Sequence, residues 1–317
     1  MDISIVIPLL NEADSIRELY ERIGAALTPL GREWEVVFIN DGSTDSSMDV
    51  LRSLHEQNDN VRVLVFGRNL GKSAALSVGF KEAAGDVVFT MDADLQDDPA
   101  ELPAMLEVIE SGYDLVSGWK KERHDPLSKR LPSKLYNAVT ARLSGVRIHD
   151  MNCGLKAYRC QVVKTIRVYG ELHRYTPVLA QWAGFTVTEV VVKHHARQYG
   201  RSKFGAERFV RGFFDLVTVL FLRRYITRPL HLFGMLGALL FAGGFLSGVY
   251  LTVLKLMGEA IGRRPLLTLA ILLMVIGVQF ISFGLLGEMV ANLKGDDISF
   301  PVRERLGRKG GELGDSA

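Results

Sequence analysis

The sequence predicts an α/β domain followed by a two-helix membrane hairpin. Short β-branched runs alternate with helical patterns from Ile3 to the region of His195. Leu232 to Leu254 and Pro265 to Gly287 contain no charged residue, and each is long enough to cross roughly 30 Å of hydrocarbon as a helix. Only the short connection Lys255 to Arg264 separates them.

The apolar runs are Ile3 to Pro8, Glu35 to Asn40, Val61 to Phe66, Asp86 to Met91 and Asp114 to Ser117. They are continuous rather than alternating, as expected of parallel strands covered by helices on both faces. Between them, Asp14 to Leu27, Ser46 to Glu56, Lys72 to Ala84 and Pro99 to Glu110 carry helical periodicity. In such sheets ligands bind beyond the carboxyl ends of the strands. The strand exits are therefore the places to look for function.

Core helices of a soluble domain rarely run as long as the two apolar segments without a polar face, so the membrane reading is preferred to a buried pair. A hairpin puts both chain ends on one side. Arg223, Arg224, Arg228, Lys294, Arg303 and Arg305 flank its outer ends, against Lys255, Arg263 and Arg264 in the loop. That bias favours a cytoplasmic location for both ends. The stretch Ile3 to Leu10 is short and runs straight into Asn11, Glu12 and Asp14, unlike a cleavable signal. Ahead of the first membrane helix, Phe209, Phe213, Phe214 and Phe221 are interleaved with Arg208, Arg211, Arg223 and Arg224. This is the pattern of an amphipathic segment lying in the headgroup region. The expected organisation is a cytoplasmic catalytic domain at 1–203, an interfacial segment at 204–229, two transmembrane helices within 230–290 and a cytoplasmic tail at 291–317. From Arg303 that tail is polar and Gly-rich and is expected to be mobile.

Composition excludes some classes. The net charge of +2 comes with no zinc-finger, homeodomain or RRM pattern, so nucleic acid is not an expected partner. Cys153 and Cys160 form neither a redox pair nor half of a zinc site and are read as reduced and structural. His194 and His195, with no other His or Cys cluster, read as strand-end residues.

Four strand exits carry polar residues: Pro8 to Glu12, Asn40 to Asp45, Gly67 to Lys72 and Asp92 to Pro99. Any one could be an ordinary turn or cap, but four in register point to a site. In INDGSTDSS, Asp41 either accepts from a base or ribose or serves the turn, while Ser43 or Thr44 caps the next helix. In RNLGKSAAL, Gly71 and Lys72 stand at a helix start, where backbone amides and a cation suit an anion. The GxxxxGK and GxGxxG patterns are absent. DADLQDDP places Asp92 and Asp94 two residues apart, on one side of an extended backbone. Clustered carboxylates there are best explained by Mg2+ or Mn2+, which would also hold substrate phosphates. Asp97 and Asp98 read as caps for the helix that begins at Pro99.

Together with SIVIPLLNEADSI at the start, these motifs resemble, in order and spacing, the family 2 glycosyltransferases of the GT-A fold, a Rossmann-like α/β architecture. RHDPLSKRLPSKLYN, DMNCGLKAYR, HHARQYGRSKF and the two terminal membrane helices narrow the resemblance to the dolichol-phosphate mannose synthases and bacterial undecaprenyl-phosphate glycosyltransferases. It covers nearly the whole chain. The resemblance implies a nucleotide-sugar donor surrounded by Pro8, Asn11, Glu12, Asp41, Lys72 and Asp92. It implies a metal held by Asp92, Asp94 and Gln96, with Asp94 among the catalytic groups. Arg123, Arg130 and Ser133 match the cradle for the phosphate of a polyprenyl acceptor, and guanidinium suits phosphate. Asp150 falls where these enzymes place an acid near the acceptor. It is either a general base, an orienting group or a turn cap, because a phosphate acceptor is largely ionised already. Arg197, Ser202 and Lys203 lie in a basic loop that either closes over the diphosphate or anchors to the membrane surface. The implied protein is an integral enzyme of the bacterial inner membrane, in contact with membrane lipids. Homo-oligomerisation, the sugar and the choice of UDP or GDP are left open.

Three other readings were weighed. A processive polysaccharide synthase would need more membrane helices and a QxxRW motif, which the sequence lacks. Transfer to another lipid such as diacylglycerol has the same need for a membrane-facing site. A non-catalytic membrane adaptor would not need the acidic cluster.

Overall fold

The computed structural model describes residues 1–121, 140–142, 144–146, 148–195, 229–260, 265–293 and 302–306. They fall into two compact units: the residues up to 195 together with 302–306, and the helical pair between them.

The first unit is built on one mixed sheet. Its strands are β1 (Ile3–Leu9), β2 (Trp34–Asn40), β3 (Val61–Phe66), β4 (Val87–Thr90), β5 (Leu115–Trp119), β6 (Lys156–Arg159), β7 (Val187–Val191) and β8 (Val302–Leu306), in the order β7-β5-β6-β4-β1-β2-β3-β8. The helices are α1 (Ala13–Leu27), α2 (Ser47–Gln57), α3 (Lys72–Glu82), α4 (Leu102–Glu110), α5 (Cys160–Thr165) and α6 (Thr176–Trp182). The central strands β4, β1, β2 and β3 are parallel, with Ile5 opposite both Val36 and Phe89. The five runs expected to be parallel strands, β1 to β5, all run in one direction, and the sheet is mixed because β6, between β4 and β5, and β8, along β3, run antiparallel to them.

Alternation along the strands explains the two covered faces. Ile3, Ile5, Ile7, Val36 and Phe38 point into one apolar layer, and Val6, Val37 and Ile39 into the other. The first layer is closed by Ile16, Leu19, Ile23 and Leu27 of α1, whose spacing of three to four residues makes a single helical stripe, and by Leu51 and Leu54 of α2. Burying each such side chain contributes about 1.5–3 kcal/mol. On the other face, α3 is buried almost all round, through Ala74, Ala75, Leu76, Val78 and Phe80. This explains why its sequence is apolar without a clear stripe.

The tail expected to be mobile from Arg303 contains an ordered strand, with Leu64 opposite Arg305 and Val65 opposite Glu304. A short, charged segment gives no sequence signal for pairing with an edge that belongs to a strand near the N-terminus.

The second unit is the pair α7 (Pro229–Leu256) and α8 (Pro265–Leu293). Their apolar windows, Leu230–Leu256 and Pro265–Gly287, have mean hydropathies of 1.9 and 2.5. Leu239 and Leu246 are 66% and 67% exposed, which is costly in water and neutral in hydrocarbon, as a membrane hairpin requires. The two backbones close where small residues meet: a β-carbon on Gly277 would stand 2.7 Å from the Gly237 carbonyl oxygen.

Candidate active site

Because β2, β1 and β4 are adjacent and parallel, their carboxyl ends share one edge of the sheet. A cavity of about 390 Å³ opens there. Of the residues expected at the site, Pro8, Glu12, Asp41, Lys72, Asp92 and Asp94 line it. Asn11, Gln96 and Asp150 are not among its lining residues.

The loops after β1 and β2 are stitched together. Asn11, in the left-handed region at φ 55, takes the Thr44 amide on Oδ1 at 2.8 Å and gives its own amide to Ser43 Oγ at 2.9 Å. The Glu12 amide donates to Ser47 Oγ at 3.0 Å. Asn11 therefore braces the cavity wall rather than lining it. Neither Ser43 nor Thr44 caps α2, contrary to expectation. Their polar groups face the neighbouring loop, and Asp45 instead accepts the Ser47 amide at 3.0 Å.

Asp41 serves the next exit. Its carboxylate accepts the Leu70 amide at 2.7 Å and the Gly71 amide at 2.9 Å, which fixes the loop that leads into α3. Burial raises its pKa above the ordinary value, and those two amides only partly offset the effect. The side chain is a turn clamp that also faces the cavity.

At the end of β4, Asp92 forms an ion pair with Lys72 from the first turn of α3. Burial pushes the Asp92 carboxyl up, but Lys72, aided by Lys120, outweighs this and holds it down at about 2. The carboxylate is ionised at any physiological pH. Gly154 packs against it so closely that a β-carbon would come within 2.6 Å of Oδ2. The sequence reading assigned Gly154 no role.

Asp94 is buried to 7% exposure, and its Oδ1 accepts the Gln96 amide at 3.2 Å. Between them Leu95 is held at φ 58, a left-handed conformation unfavourable for a leucine, so strain is stored within the acidic loop. The two following acids divide their work. Asp98 caps the short helix at Pro99–Glu101 by accepting the Ala100 amide at 3.0 Å, as expected. Asp97 does not cap; its buried carboxylate pairs with Lys120 Nζ at 2.7 Å. Burial acts to lower the Lys120 pKa, but Asp97 prevails and holds it well above its ordinary value. His195 and His194 brace the same loop: the His195 amide donates to the Gln96 carbonyl at 2.9 Å, and His195 Nε2 lies 3.0 Å from Asp98 Oδ2.

Asp150 is 1% exposed, with Oδ1 accepting the Asn152 amide at 3.2 Å, which is the turn-cap arrangement. Beneath it Lys156 is buried and donates to the Cys153 carbonyl. Burial depresses the Lys156 pKa and raises that of the Cys153 thiol to about 12, so the thiol is inert.

Arg123, Arg130, Ser133, Arg197, Ser202 and Lys203 lie outside the described residues, as does the amphipathic stretch up to Arg228. Conversely, Glu171, His173 and Arg174 line the cavity without having been singled out. They sit at and beside a short 3-10 turn, Leu172–Tyr175. Such a turn has no periodicity or motif by which sequence alone could mark it.

Among the described residues, no three His, Cys, Asp or Glu side chains are grouped to hold a metal ion. Asp92 and Asp94 nevertheless share one cavity wall. Mg2+ and Mn2+ sites commonly use one or two carboxylates and leave the remaining positions to water and substrate phosphates. The two acids fit an ion of that kind, and Lys72 is the group it would displace from Asp92.

Residues 4–167 match the family described as Glycosyl transferase family 2. That is more than half of the chain. The chain is a family 2 glycosyltransferase. Residues 228–293 of the glycosyltransferase match the GtrB C-terminal hairpin, which corresponds to α7 and α8. It is an integral membrane enzyme with its catalytic domain on the cytoplasmic side. The glycosyltransferase is 38% identical over 297 residues to the dodecaprenyl-phosphate galacturonate synthase of Rhizobium johnstonii, covering 92% of this chain and 88% of that one. It is also 38% identical to the undecaprenyl-phosphate 4-deoxy-4-formamido-L-arabinose transferase of Pseudomonas aeruginosa, covering 93% and 86%. Among solved structures, glucosyl-3-phosphoglycerate synthase from Mycobacterium tuberculosis, in complex with Mn2+ and UDP-glucose, superposes with a TM-score of 0.51 at 18% identity, over 70% of this chain and 78% of that one. That likeness supports the GT-A fold of the glycosyltransferase.

Proposed function

We propose that the enzyme transfers a sugar from a UDP- or GDP-sugar to a polyprenyl phosphate at the cytoplasmic face of the membrane, with inversion at the anomeric carbon. The observation that carries this reading is the meeting of Asp92, Asp94 and Lys72 on one cavity at the strand exits. Both curated relatives described above are named for sugar transfer to polyprenyl phosphates, and the paired apolar helices place the enzyme in a membrane, where such a lipid resides.

In this reading the nucleotide lies against Pro8, Glu12 and Asp41, and the diphosphate reaches Lys72, Asp92 and Asp94. Asp92 and Asp94, with Gln96 as a third group, would hold an Mg2+ or Mn2+ ion, which would offset charge on the departing diphosphate. Lys72 adds a second positive charge at the same place. An oxygen of the lipid phosphate forms a bond to the anomeric carbon while the bond from that carbon to the diphosphate breaks, and the electron pair leaves with the nucleoside diphosphate. No protein nucleophile is needed. The acceptor phosphate is already ionised near neutral pH, so little proton transfer is required. Asp150, buried in its turn, then serves orientation rather than base catalysis. Arg123, Arg130 and Ser133 hold the lipid phosphate, and Arg197, Ser202 and Lys203 close over the donor to exclude water.

The test is release of nucleoside diphosphate by purified protein across a panel of UDP- and GDP-sugars, with and without undecaprenyl phosphate and Mn2+. Release that needs the lipid phosphate, the metal and Asp94 supports the reading. Equal release with diacylglycerol in place of the lipid phosphate, or none from any donor, would overturn it.

A further inference from the structure

The turn Leu172–Tyr175 has no part in the reaction as proposed above, yet it helps wall the cavity. His173 is tied there to Ser73 of α3 by two bonds. Its backbone amide donates to Ser73 Oγ at 3.2 Å, and the same oxygen lies 2.9 Å from His173 Nδ1. A serine hydroxyl has one proton to give. Its oxygen has two lone pairs, so while accepting from the amide it either gives that proton to Nδ1 or accepts from an Nδ1–H, according to the tautomer. Burial, reinforced by Lys72, Arg174 and Lys156, keeps the imidazole neutral, with a pKa well below its ordinary value. A neutral ring that accepts at Nδ1 carries its proton on Nε2. In that tautomer His173, which lines the cavity, is an uncharged N–H donor.

The ions beside it are already matched. Lys72 is taken by Asp92 or, in the reading above, by the donor's diphosphate, and Arg174 pairs with Glu171 at 3.0 Å. The anionic part of a ligand is served by cations, whereas an uncharged donor suits an uncharged oxygen. We propose that His173 is a specificity-determining residue that donates its Nε2 proton in a hydrogen bond to a hydroxyl of the donor's sugar ring, with Ser73 as the positioning residue that sets the tautomer. This rests on the reading that a nucleotide-sugar occupies the cavity.

The test uses full-length protein in detergent with Mn2+. The wild type is first scored on the UDP- and GDP-sugar panel. The active donor and its nucleoside diphosphate alone are then titrated calorimetrically against His173→Leu, His173→Gln and Ser73→Ala. In His173→Leu, kcat/KM for the donor falls roughly tenfold or more, while nucleoside diphosphate affinity stays within about twofold, because the lost bond is to the sugar. Gln, which can present an N–H, recovers part of the loss. Ser73→Ala lowers kcat/KM when His173 is present and has no effect in the His173→Leu background. Should the Leu variant fail to fold, His173→Asn, too short to reach with a donor, takes its place. A parallel loss of nucleoside diphosphate affinity would mean that the ring reads the phosphates and would overturn the proposal. So would unchanged kcat/KM, or a Ser73→Ala effect that persists without His173. A folded wild type that neither binds nor turns over any nucleotide-sugar would sink the functional reading itself, before any variant is compared.

Discussion

Thr90 Oγ1 donates to the Gly154 carbonyl at 2.9 Å, and this bond helps hold the turn after Asp150 with its α-carbon flush against the Asp92 carboxylate. A methyl group at residue 154 has to displace that carboxylate. Gly154→Ala should fold, retain its far-ultraviolet circular dichroism, and lose on the order of 100-fold in kcat/KM, because a misplacement of about 1 Å at a reacting centre costs that much. Near wild-type turnover would show that the position of Asp92 is not critical.

Removing the acids proposed to hold the metal should act on turnover more than on folding. Asp94→Asn is expected to lower kcat by roughly 100-fold or more, in line with losing a main electrostatic contact to the departing group. Chelation of the wild type should abolish activity, and added Mn2+ should restore it. An enzyme that is fully active in chelator would contradict the assignment of Asp92 and Asp94.

His173 also makes a prediction for stability against pH. Its folded-state pKa lies well below the ordinary 6.5, so below 6.5 the unfolded chain takes up a proton that the folded chain refuses. Stability from this group is complete above that value and declines as pH falls beneath it. Thermal denaturation of the solubilised protein between pH 7.5 and 5 should show this slope, and His173→Gln should flatten it. The same slope in both proteins would place its origin elsewhere.

At the opposite end of the strands, Arg62 bridges Glu35 at 3.0 Å and Glu82 at 2.8 Å, while Glu35 also accepts from Ser4 Oγ at 2.6 Å. Arg62→Met would leave two nearly buried carboxylates without their cation. It should cost about 3–5 kcal/mol of stability and leave kcat per folded molecule unchanged, as judged by chemical denaturation beside an activity assay.

The pairing of β8 with β3 places residues before and after α7 and α8 in one sheet. The number of membrane crossings between them must therefore be even. Protease sites added at each end of the chain should both be cut in inverted inner-membrane vesicles, and neither in intact spheroplasts. Cleavage from opposite sides would disprove the pairing.

The catalytic half of this architecture was legible because its signals are local. Buried parallel strands read as apolar runs, and their exits carry Asp41, Lys72, Asp92 and Asp94, which the structure brings to one cavity. What stayed hidden depends on encounters between distant segments. Asp97 and Asp98 are equivalent as sequence, yet one faces Lys120 and the other a helix start. Asn11 resembled a ligand-facing residue, but its partners on the β2 loop turn it to bracing. Gly154 and His173 gain their significance only from Asp92 and Ser73, which lie far away in the chain. No pattern of residue types encodes such a meeting.

Chain order gives β8 a further meaning. A ribosome makes β3 early and β8 only after both membrane helices, so β8 cannot cover the outer edge of β3 until nearly the whole chain has been made. An open strand edge invites pairing with other chains. The last strand to be made is thus the one that seals the outer edge of the sheet.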